Sequence, residues 1–258
     1  MSSNLQLAIK ATKSAGALIH HNYVEAKKLI KKDSNDYATE TDIAAEKLII
    51  DILRQTGYSI LGEETGETDN HSNRKWIIDP LDGTINFIRG FPFFCVSIAL
   101  MEGDNRLILG VIYDPIRDEC YWAENKKGAY LNGKKINMAK SYDGDRSMIL
   151  IDHGSSRQSK QDYLKALESL TKQDTFQLMR HGTTALMLCY VAKGSAEAFL
   201  SCGDEIYDYA AGLIIAREAG AVISDWEGEA WNDSSSYILA SNFKLQPEIV
   251  DKVSHIQK

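Results

Sequence analysis

Three short acidic clusters are the part of this 258-residue sequence most suited to chemistry. Glu63 and Glu64 follow Ile-Leu-Gly at 60–62, residues 79–84 read Asp-Pro-Leu-Asp-Gly-Thr, and Asp208 opens an apolar helical pattern. Taken singly, each cluster has an ordinary explanation, because acidic residues favour turns beside Pro and Gly and the first turn of a helix. Together they place several carboxylates where strands end or helices begin.

The middle cluster is the most informative. The apolar run 76–78 predicts a strand that delivers Asp79 at the edge of a sheet, and Pro80 stiffens the turn that follows. Asp82, three residues on, can then swing back so that both carboxylates and the Leu81 carbonyl converge. Such oxygens suit a hard cation, and Mg²⁺ commonly combines a few carboxylates with water and substrate phosphate.

Phosphate binding is indicated by the next two residues. Gly83 can adopt backbone angles that are closed to other residues and lets a ligand approach the main chain. Thr84 and the amides after it are expected to open a helix whose N-terminus favours an anion. The segment 79–84 is therefore expected to hold metal and phosphate together.

Other phosphatase chemistries are not supported by the spacing. No Arg lies six residues after any of the four cysteines, and Asp79 and Asp82 are separated by two residues, where a phosphoaspartate mechanism needs one. P-loop, H-E-x-x-H and G-x-S-x-G motifs are absent from the sequence. Arg-His-Gly at 180–182 mimics a histidine-phosphatase motif, but in that class the His follows the first strand near the N-terminus, and here it lies past the middle of the chain.

The elements that must position these residues divide the chain into two halves. The pattern of residues 1–145 predicts an α+β half. It begins with a helix near 5–19 and a second helix from Asp42, capped by Thr41 or Asp42, and continues with short strands and an Asn-Gly hairpin turn at 132–133. Residues 146–258 predict an α/β half in which strands and helices alternate. We expect one compact catalytic unit with its site where the halves meet. The elements expected in the second half are strands near 147–151, 196–200, 221–224 and 237–240, and helices near 160–170, 184–192, 206–219 and after Pro247.

Composition bounds the class of protein. The formal charge is 29 − 36 = −7, which argues against a basic nucleic-acid surface. Four scattered cysteines indicate reduced thiols rather than a disulfide scaffold. Lys10 and Lys13 interrupt what would have to be an apolar signal core, and the most apolar stretch, 91–101, is too short for a membrane span. A cytoplasmic protein without nucleic-acid or membrane partners is the expectation.

At this point the sequence resembles the inositol monophosphatase family of Mg²⁺-dependent, lithium-sensitive phosphatases over nearly its whole length. Two long motifs carry the resemblance, W-I-I-D-P-L-D-G-T-I-N-F at 76–87 and Y-D-Y-A-A-G-L-I-I-A-R-E-A-G at 207–220. Shorter matches are Lys32 with Asp36-x-x-Thr39-x-x-Asp42, Gly62-Glu63-Glu64, Gly154-Ser155-Ser156-Arg157 and Gly182-Thr183.

The resemblance implies a layered αβαβα sandwich of the sugar-phosphatase type, usually a homodimer, acting on a small phosphorylated metabolite. It also implies two or three Mg²⁺ per site and a direct attack by water. By position, the roles fall as follows: metal ligands Glu63, Asp79, Leu81, Asp82 and Asp208; catalytic residues Asp42, Thr84 and Glu63; substrate residues Gly83, Thr84, Ser155, Gly182, Thr183 and Ser201; and a mobile flap with Lys32 and Asp36.

Departures from the family pattern fall on the substrate side. Tyr207, Ile85 and Ala221 replace a usual Trp, Thr and Gly. Ser201 stands where inositol-preferring members carry Glu, so fructose 1,6-bisphosphate, a nucleotide 2′- or 3′-phosphate and histidinol phosphate remain alternatives to inositol 1-phosphate. An interaction module that keeps the fold and its metals without catalysis is a further alternative, but no expected metal ligand is lost.

Overall fold

The computed structural model describes residues 1–23, 29–31, 37–103, 106–139, 147–172, 176–232 and 235–256. Helices within these ranges are α1 Ser3–Asn22, α2 Glu40–Leu53, α3 Thr84–Ile88, α4 Arg157–Thr171, α5 Thr184–Ala192, α6 Ile206–Glu218 and α7 Gln246–Val253. The strands are β1 Leu29–Lys31, β2 Tyr37–Thr39, β3 Ser59–Gly62, β4 Gly66–Thr68, β5 Arg74–Asp82, β6 Cys95–Glu102, β7 Arg106–Asp114, β8 Glu119–Glu124, β9 Ala129–Leu131, β10 Lys134–Ile136, β11 Met148–His153, β12 Gln177–Met179, β13 Ala198–Cys202, β14 Val222–Ser224 and β15 Tyr237–Ser241.

Two larger sheets organise these elements. The first has eight strands in the order β10-β9-β8-β7-β6-β5-β3-β4, and only its β3–β5 pair is parallel. The second has five strands in the order β12-β11-β13-β15-β14, with β12, β11 and β13 parallel and the other pairs antiparallel. The short strands β1 and β2 pair separately.

Helices separate and cover the two sheets. Helices α1 and α2 pack on one face of the eight-stranded sheet, and α6 packs on its other face through β5, β6 and β7. Helices α5 and α6 also contact strands of the five-stranded sheet, whose outer face carries α4 and α7. The layers therefore run α, β, α, β, α, which confirms the sandwich expected from the sequence.

The middle helices explain why the two halves share one core. Helices α5 and α6 are buried on nearly all sides, because apolar residues surround their axes rather than forming a single stripe. They pack together with residues of both sheets in one apolar cluster. The division at residues 145/146 lies at the edge of 140–146, outside the described residues, and stays a prediction.

Local sequence patterns predicted most elements, with two corrections. Asn132 and Gly133 both have positive φ and join β9 to β10, as the hairpin signal indicated. Helix α2 begins earlier than expected: Thr39 is its N-cap, and Asp42 completes a capping box from inside the helix. Four three-residue strands, β1, β2, β4 and β12, were not predicted, because so short a segment carries no periodic signal. No described helix combines the length and apolar character that a membrane crossing requires.

Candidate metal and phosphate site

A bulge in β5 shapes the acidic site. Asp79 pairs with Ser97 of β6 and Asp82 pairs with Cys95, so three steps along β5 face two steps along β6. The extra residue bends the strand and re-aims its side chains, as bulges do beside active sites. Both carboxylates consequently lie at the same end of the strand, as the Pro-containing motif predicted.

Backbone amides fix one oxygen of each central aspartate. Leu81 N–H donates to Asp79 Oδ1 at 2.9 Å, and Glu205 N–H donates to Asp208 Oδ2 at 2.8 Å. Asp208 thereby takes part in the capping box of α6, so its ordinary helix-start role and its place in the site coexist.

Asp82 is held by the other half of the chain. Ala185 N–H, in the first turn of α5, donates to Asp82 Oδ2 at 2.8 Å, and the Cys95 thiol lies 3.9 Å from the same oxygen. Because these partners engage one oxygen, the second stays available to a ligand. The site therefore depends on contact between the two halves, which no local pattern in the sequence shows.

The carboxylates perturb one another. Burial raises the pKa of Asp79, Asp82 and Asp208 well above the ordinary value, and the charges of neighbouring carboxylates add to the effect. A hydrogen bond from Glu63 also raises the pKa of Asp79. Two carboxyl groups can share such a bond only if one of them holds a proton. Without that proton, the two negative charges would repel each other unless another positive charge were present.

A cation would supply that charge. In the described part of the chain, no three Asp, Glu, His or Cys side chains already surround one point closely enough to form a coordination sphere. The ligand atoms nevertheless fit Mg²⁺, since all of them are oxygens. Asp79, Asp82 and Asp208 each keep one carboxylate oxygen that is not bonded to a backbone amide. Binding would replace the shared proton and relieve the mutual repulsion that raises the pKa values.

Asp42 and Thr84 meet beside this cluster. Thr39 N–H donates to Asp42 Oδ2 at 2.6 Å, which fixes the carboxylate at the start of α2. Thr84 Oγ1 lies 3.4 Å from Asp42 Oδ1 and 3.1 Å from the Leu81 carbonyl oxygen. Since the hydroxyl has one hydrogen, it donates to one of these acceptors and keeps lone pairs for a third group.

Gly83 and Thr183 come together across the two halves. Gly83 has φ +97°, in the region that favours glycine, and a Cβ there would lie 2.5 Å from Thr183 Cγ2. Asn86 links the same segments by donating to the His181 carbonyl at 2.8 Å. Gly182 and Thr183 therefore lie next to the β5–α3 turn, and the Thr183 hydroxyl is buried without a hydrogen bond to the described residues.

Other expected site residues are placed differently. Ser155 is exposed in the turn before α4, beside the cavity residue Gly154. Ser201 is fully buried in β13 and is not among the residues that line the cavity, so the structure does not bring it to a ligand. The serine hydroxyl is buried without a hydrogen bond to the described residues, and its proximity lowers the pKa of Asp204. Lys32 and Asp36, the expected flap residues, lie outside the described residues.

Sequence reasoning missed four polar residues around the site. Buried Glu46 accepts hydrogen bonds from the amides of Glu64 (3.0 Å) and Thr65 (2.8 Å), and so holds the turn after β3. Asp152, Arg180 and Asp204 line a cavity with Asp82 and Asp208. These residues stand in unremarkable local sequence, apart from Arg180 in the motif that resembles a histidine phosphatase.

Fold and site together define a class, the five-layer sugar-phosphatase type with an acidic site between two sheets. The chain belongs to the inositol monophosphatase family, whose model matches residues 1–258. This confirms the resemblance of the motifs, and the family generally depends on a metal.

Relatives with two kinds of name match the chain. It is 36% identical over 260 residues to inositol monophosphatase 1 of Solanum lycopersicum, covering 96% of this chain and 93% of the relative. It is 38% identical over 252 residues to Nus factor SuhB of Xylella fastidiosa, covering 93% and 90%. These names support a phosphatase without fixing its substrate.

Solved structures agree on the fold. Extragenic suppressor protein suhB from Bartonella henselae superposes with a TM-score of 0.91 at 32% identity, covering 98% of each chain. A protein described as an inositol monophosphatase-fructose 1,6 bisphosphatase superposes with a TM-score of 0.82 at 27% identity, covering 97% of this chain and 98% of the other.

Proposed function

We propose that this protein is a Mg²⁺-dependent, lithium-sensitive phosphomonoesterase that hydrolyses a small phosphate ester such as inositol 1-phosphate by direct attack of water. The observation that carries the proposal is the buried carboxylate set at the junction of the two sheets. Asp79, Asp82 and Asp208 are anchored by backbone amides and have raised pKa values, which supports a role in binding a cation.

The metal ligands in this proposal are Glu63, Asp79, the Leu81 carbonyl, Asp82 and Asp208. Two Mg²⁺ are expected there, with a weaker third near the Lys32–Asp36 flap. Bound Mg²⁺ would neutralise the phosphate, clamp its oxygens and lower the pKa of a water molecule. The amides on Asp79, Asp82 and Asp208 keep the ligand oxygens in place before the substrate binds.

Asp42 and Thr84 orient the attacking water. When Thr84 donates its hydrogen to Asp42 Oδ1, 3.4 Å away, its oxygen can accept a hydrogen bond from water. The capping bond from the Thr39 amide prevents Asp42 from turning away. This arrangement needs no covalent intermediate, in agreement with the absence of a suitably spaced nucleophile in the sequence.

The phosphate and the leaving group are assigned to the turn between β5 and α3 and to the segment before α5. The amides of Gly83 and Thr84 would bind phosphate oxygens. Gly182 and Thr183, next to Gly83, would line the leaving-group pocket, with Ser155 at its exposed rim.

An activity assay with a matched pair of variants tests the proposal. Purified protein should release phosphate from inositol 1-phosphate or β-glycerophosphate with Mg²⁺ and not without it, and Li⁺ should inhibit. Asp82→Asn should keep the circular dichroism spectrum and lose most of kcat. Asp51→Asn should match the parent, because Asp51 forms only a surface pair with Arg54. Absence of Mg²⁺-dependent turnover on every phosphate ester, including the alternatives named from the sequence, would exclude the enzyme.

The names of the relatives favour a second candidate, the function of a Nus factor. That candidate leaves open whether the protein has a nucleic-acid partner, although the formal charge of −7 does not favour a nucleic-acid surface. In vitro transcription with the parent and with Asp82→Asn separates the two functions. An effect of equal size from both would show a transcription role that does not need the acidic site.

We further propose a cytoplasmic homodimer, following the family resemblance. Three apolar side chains are exposed, Ile85 (59%), Phe91 (50%) and Met179 (41%). The hydrogen bond from Asn86 to the His181 carbonyl joins the two segments that carry them, so they lie in one region of the surface, which supports self-association. Light scattering after gel filtration measures the oligomeric state, and a monomer at micromolar concentration would contradict the proposal.

A further inference from the structure

The cavity beside the acidic site extends well beyond the proposed metal ligands. It has a volume of about 190 Å³, and the part lined by Asp82 and Asp208 is here called its inner end. The rest of its lining, here called the outer end, includes five polar side chains that the sequence did not assign: Asp152, His153, Arg180, Thr184 and Asp204. A leaving group attached to a phosphate at the inner end would contact these residues.

Arg180 provides fixed hydrogen-bond donors at the outer end. Its Nε donates to Asp152 Oδ1 at 2.7 Å, and the same oxygen accepts the His153 amide at 2.8 Å. Asp152 is only 3% exposed, whereas the Arg180 side chain is 43% exposed. The two Nη groups make no hydrogen bond to the described residues, so they remain available to a ligand in the cavity.

Asp204 provides the opposing acceptor. Thr184 Oγ1 donates to Asp204 Oδ2 at 3.0 Å, which orients the carboxylate on the loop between β13 and α6. His153 adds a second acceptor, because its Nδ1 lies 2.8 Å from the Gly154 carbonyl oxygen. A carbonyl can only accept, so Nδ1 carries the hydrogen, and Nε2 of that tautomer is an acceptor.

The charges of the outer end are not suited to an anion. The charges of Arg180 and Asp152 cancel in their ion pair. Asp204 then leaves one negative charge that no described cation pairs directly. Because like charges brought close together repel, a second phosphate on the leaving group would be disfavoured here. Hydroxyl groups, which donate and accept, match a guanidinium opposite a carboxylate.

We propose that Asp204 and Arg180 select the leaving group in this protein, accepting an uncharged, hydroxylated leaving group and excluding a second phosphate. This inference rests on the proposed phosphatase function and goes further by naming its specificity residues. It also transfers the role expected of Ser201 to Asp204, the carboxylate against which the buried serine packs.

Three substrates and two variants test the proposal at pH 8. The substrates are inositol 1-phosphate, fructose 1,6-bisphosphate and p-nitrophenyl phosphate, whose leaving group carries no alcohol hydroxyl. Asp204→Asn keeps an acceptor but removes the charge, so kcat/KM for the bisphosphate relative to inositol 1-phosphate should rise at least about tenfold. Arg180→Lys keeps the positive charge beside Asp152 but removes the two Nη groups that would donate to hydroxyls of the leaving group. The kcat/KM for inositol 1-phosphate should therefore fall about tenfold relative to that for p-nitrophenyl phosphate.

Matched controls distinguish selection from damage to the metal site. Asp51→Asn and Arg54→Lys, the two partners of a surface pair, should leave every ratio unchanged. The thermal shift produced by Mg²⁺ should persist in Asp204→Asn, and its loss would instead make Asp204 part of the metal site. A change below about twofold in the bisphosphate ratio would overturn the role of Asp204, and an equal loss on both monophosphates would overturn that of Arg180. If the parent turns over none of the three substrates with Mg²⁺, the proposed function fails first.

Discussion

Replacing Asp204 by Asn should stabilise the metal-free protein, and by more at high pH. Burial and then the charge on Asp152 raise the pKa of Asp204 from 3.8 to about 7. In the unfolded chain this carboxyl ionises near its ordinary pKa, whereas in the folded protein it keeps its proton until about pH 7. Between these values the folded state binds more protons, so stability falls as pH rises.

The size of the effect follows from the same pKa. One unit corresponds to 1.36 kcal/mol, so a rise from 3.8 to about 7 costs at most about 4 kcal/mol at pH 8. At pH 5 the cost is at most about 2 kcal/mol, because only the pH interval from 3.8 to 5 then contributes. Asn removes the ionisation but keeps an acceptor for Thr184, so we expect a gain of about 2–4 kcal/mol at pH 8 and about 1 kcal/mol at pH 5.

Urea denaturation in EDTA at the two pH values measures these differences. Asp51→Asn is the control and should change the free energy of unfolding by less than about 0.5 kcal/mol at both. A gain for Asp204→Asn that does not depend on pH, or a loss of stability at pH 8, would refute the assignment of the raised pKa to this carboxyl.

Further predictions concern the metal and the turns that support the site. Mg²⁺ should raise the unfolding temperature more at pH 8 than at pH 5.5, because its ligands must lose protons to bind; a scanning fluorimetry shift independent of pH would contradict this. Gly83→Ala should lower the free energy of unfolding by about 1–3 kcal/mol and reduce kcat, since φ is +97° and the Cβ meets Thr183 Cγ2 at 2.5 Å. Adding Thr183→Ser, which removes that methyl group, should recover part of the stability in urea denaturation. Glu46→Ala leaves two amides without their acceptor and should cost about 2–4 kcal/mol, which a urea midpoint close to that of the parent would disprove.

Local patterns predicted the helices and hairpin because their signals are contained in short segments. Asn132-Gly133 needs only its own backbone angles, and α5 spans Thr184–Ala192 as its apolar run indicated. The N-cap of α2 was misplaced because Thr39, Thr41 and Asp42 have similar capping chemistry, and only the backbone path into the helix selects Thr39. Strand β12 exists through its pairing with β11, a contact that local periodicity cannot show.

The inner end of the site was more predictable than the outer end. Asp79, Leu81 and Asp82 lie within four residues, so a turn and a bulge are sufficient to bring them together. Asp204 and Arg180 belong to separate loops, and their position at one cavity depends on the pairing of β11 with β12 and β13. Ser201 was expected at the ligand from its spacing to Asp208, but that spacing does not show that its side chain is buried in β13.

The sequence by itself determined the acidic motifs, the glycine at the tight turn and the alternation of strands and helices, because these follow from chemistry within a few residues. Tertiary structure decided which oxygen of Asp82 is held, since Ala185 approaches it from 103 residues away in the sequence. It also decided the raised pKa values, because burial and neighbouring charges arise only when the two sheets enclose α5 and α6. The proposed ligand set therefore follows from the local sequence, whereas its electrostatics and its leaving-group pocket result from tertiary packing.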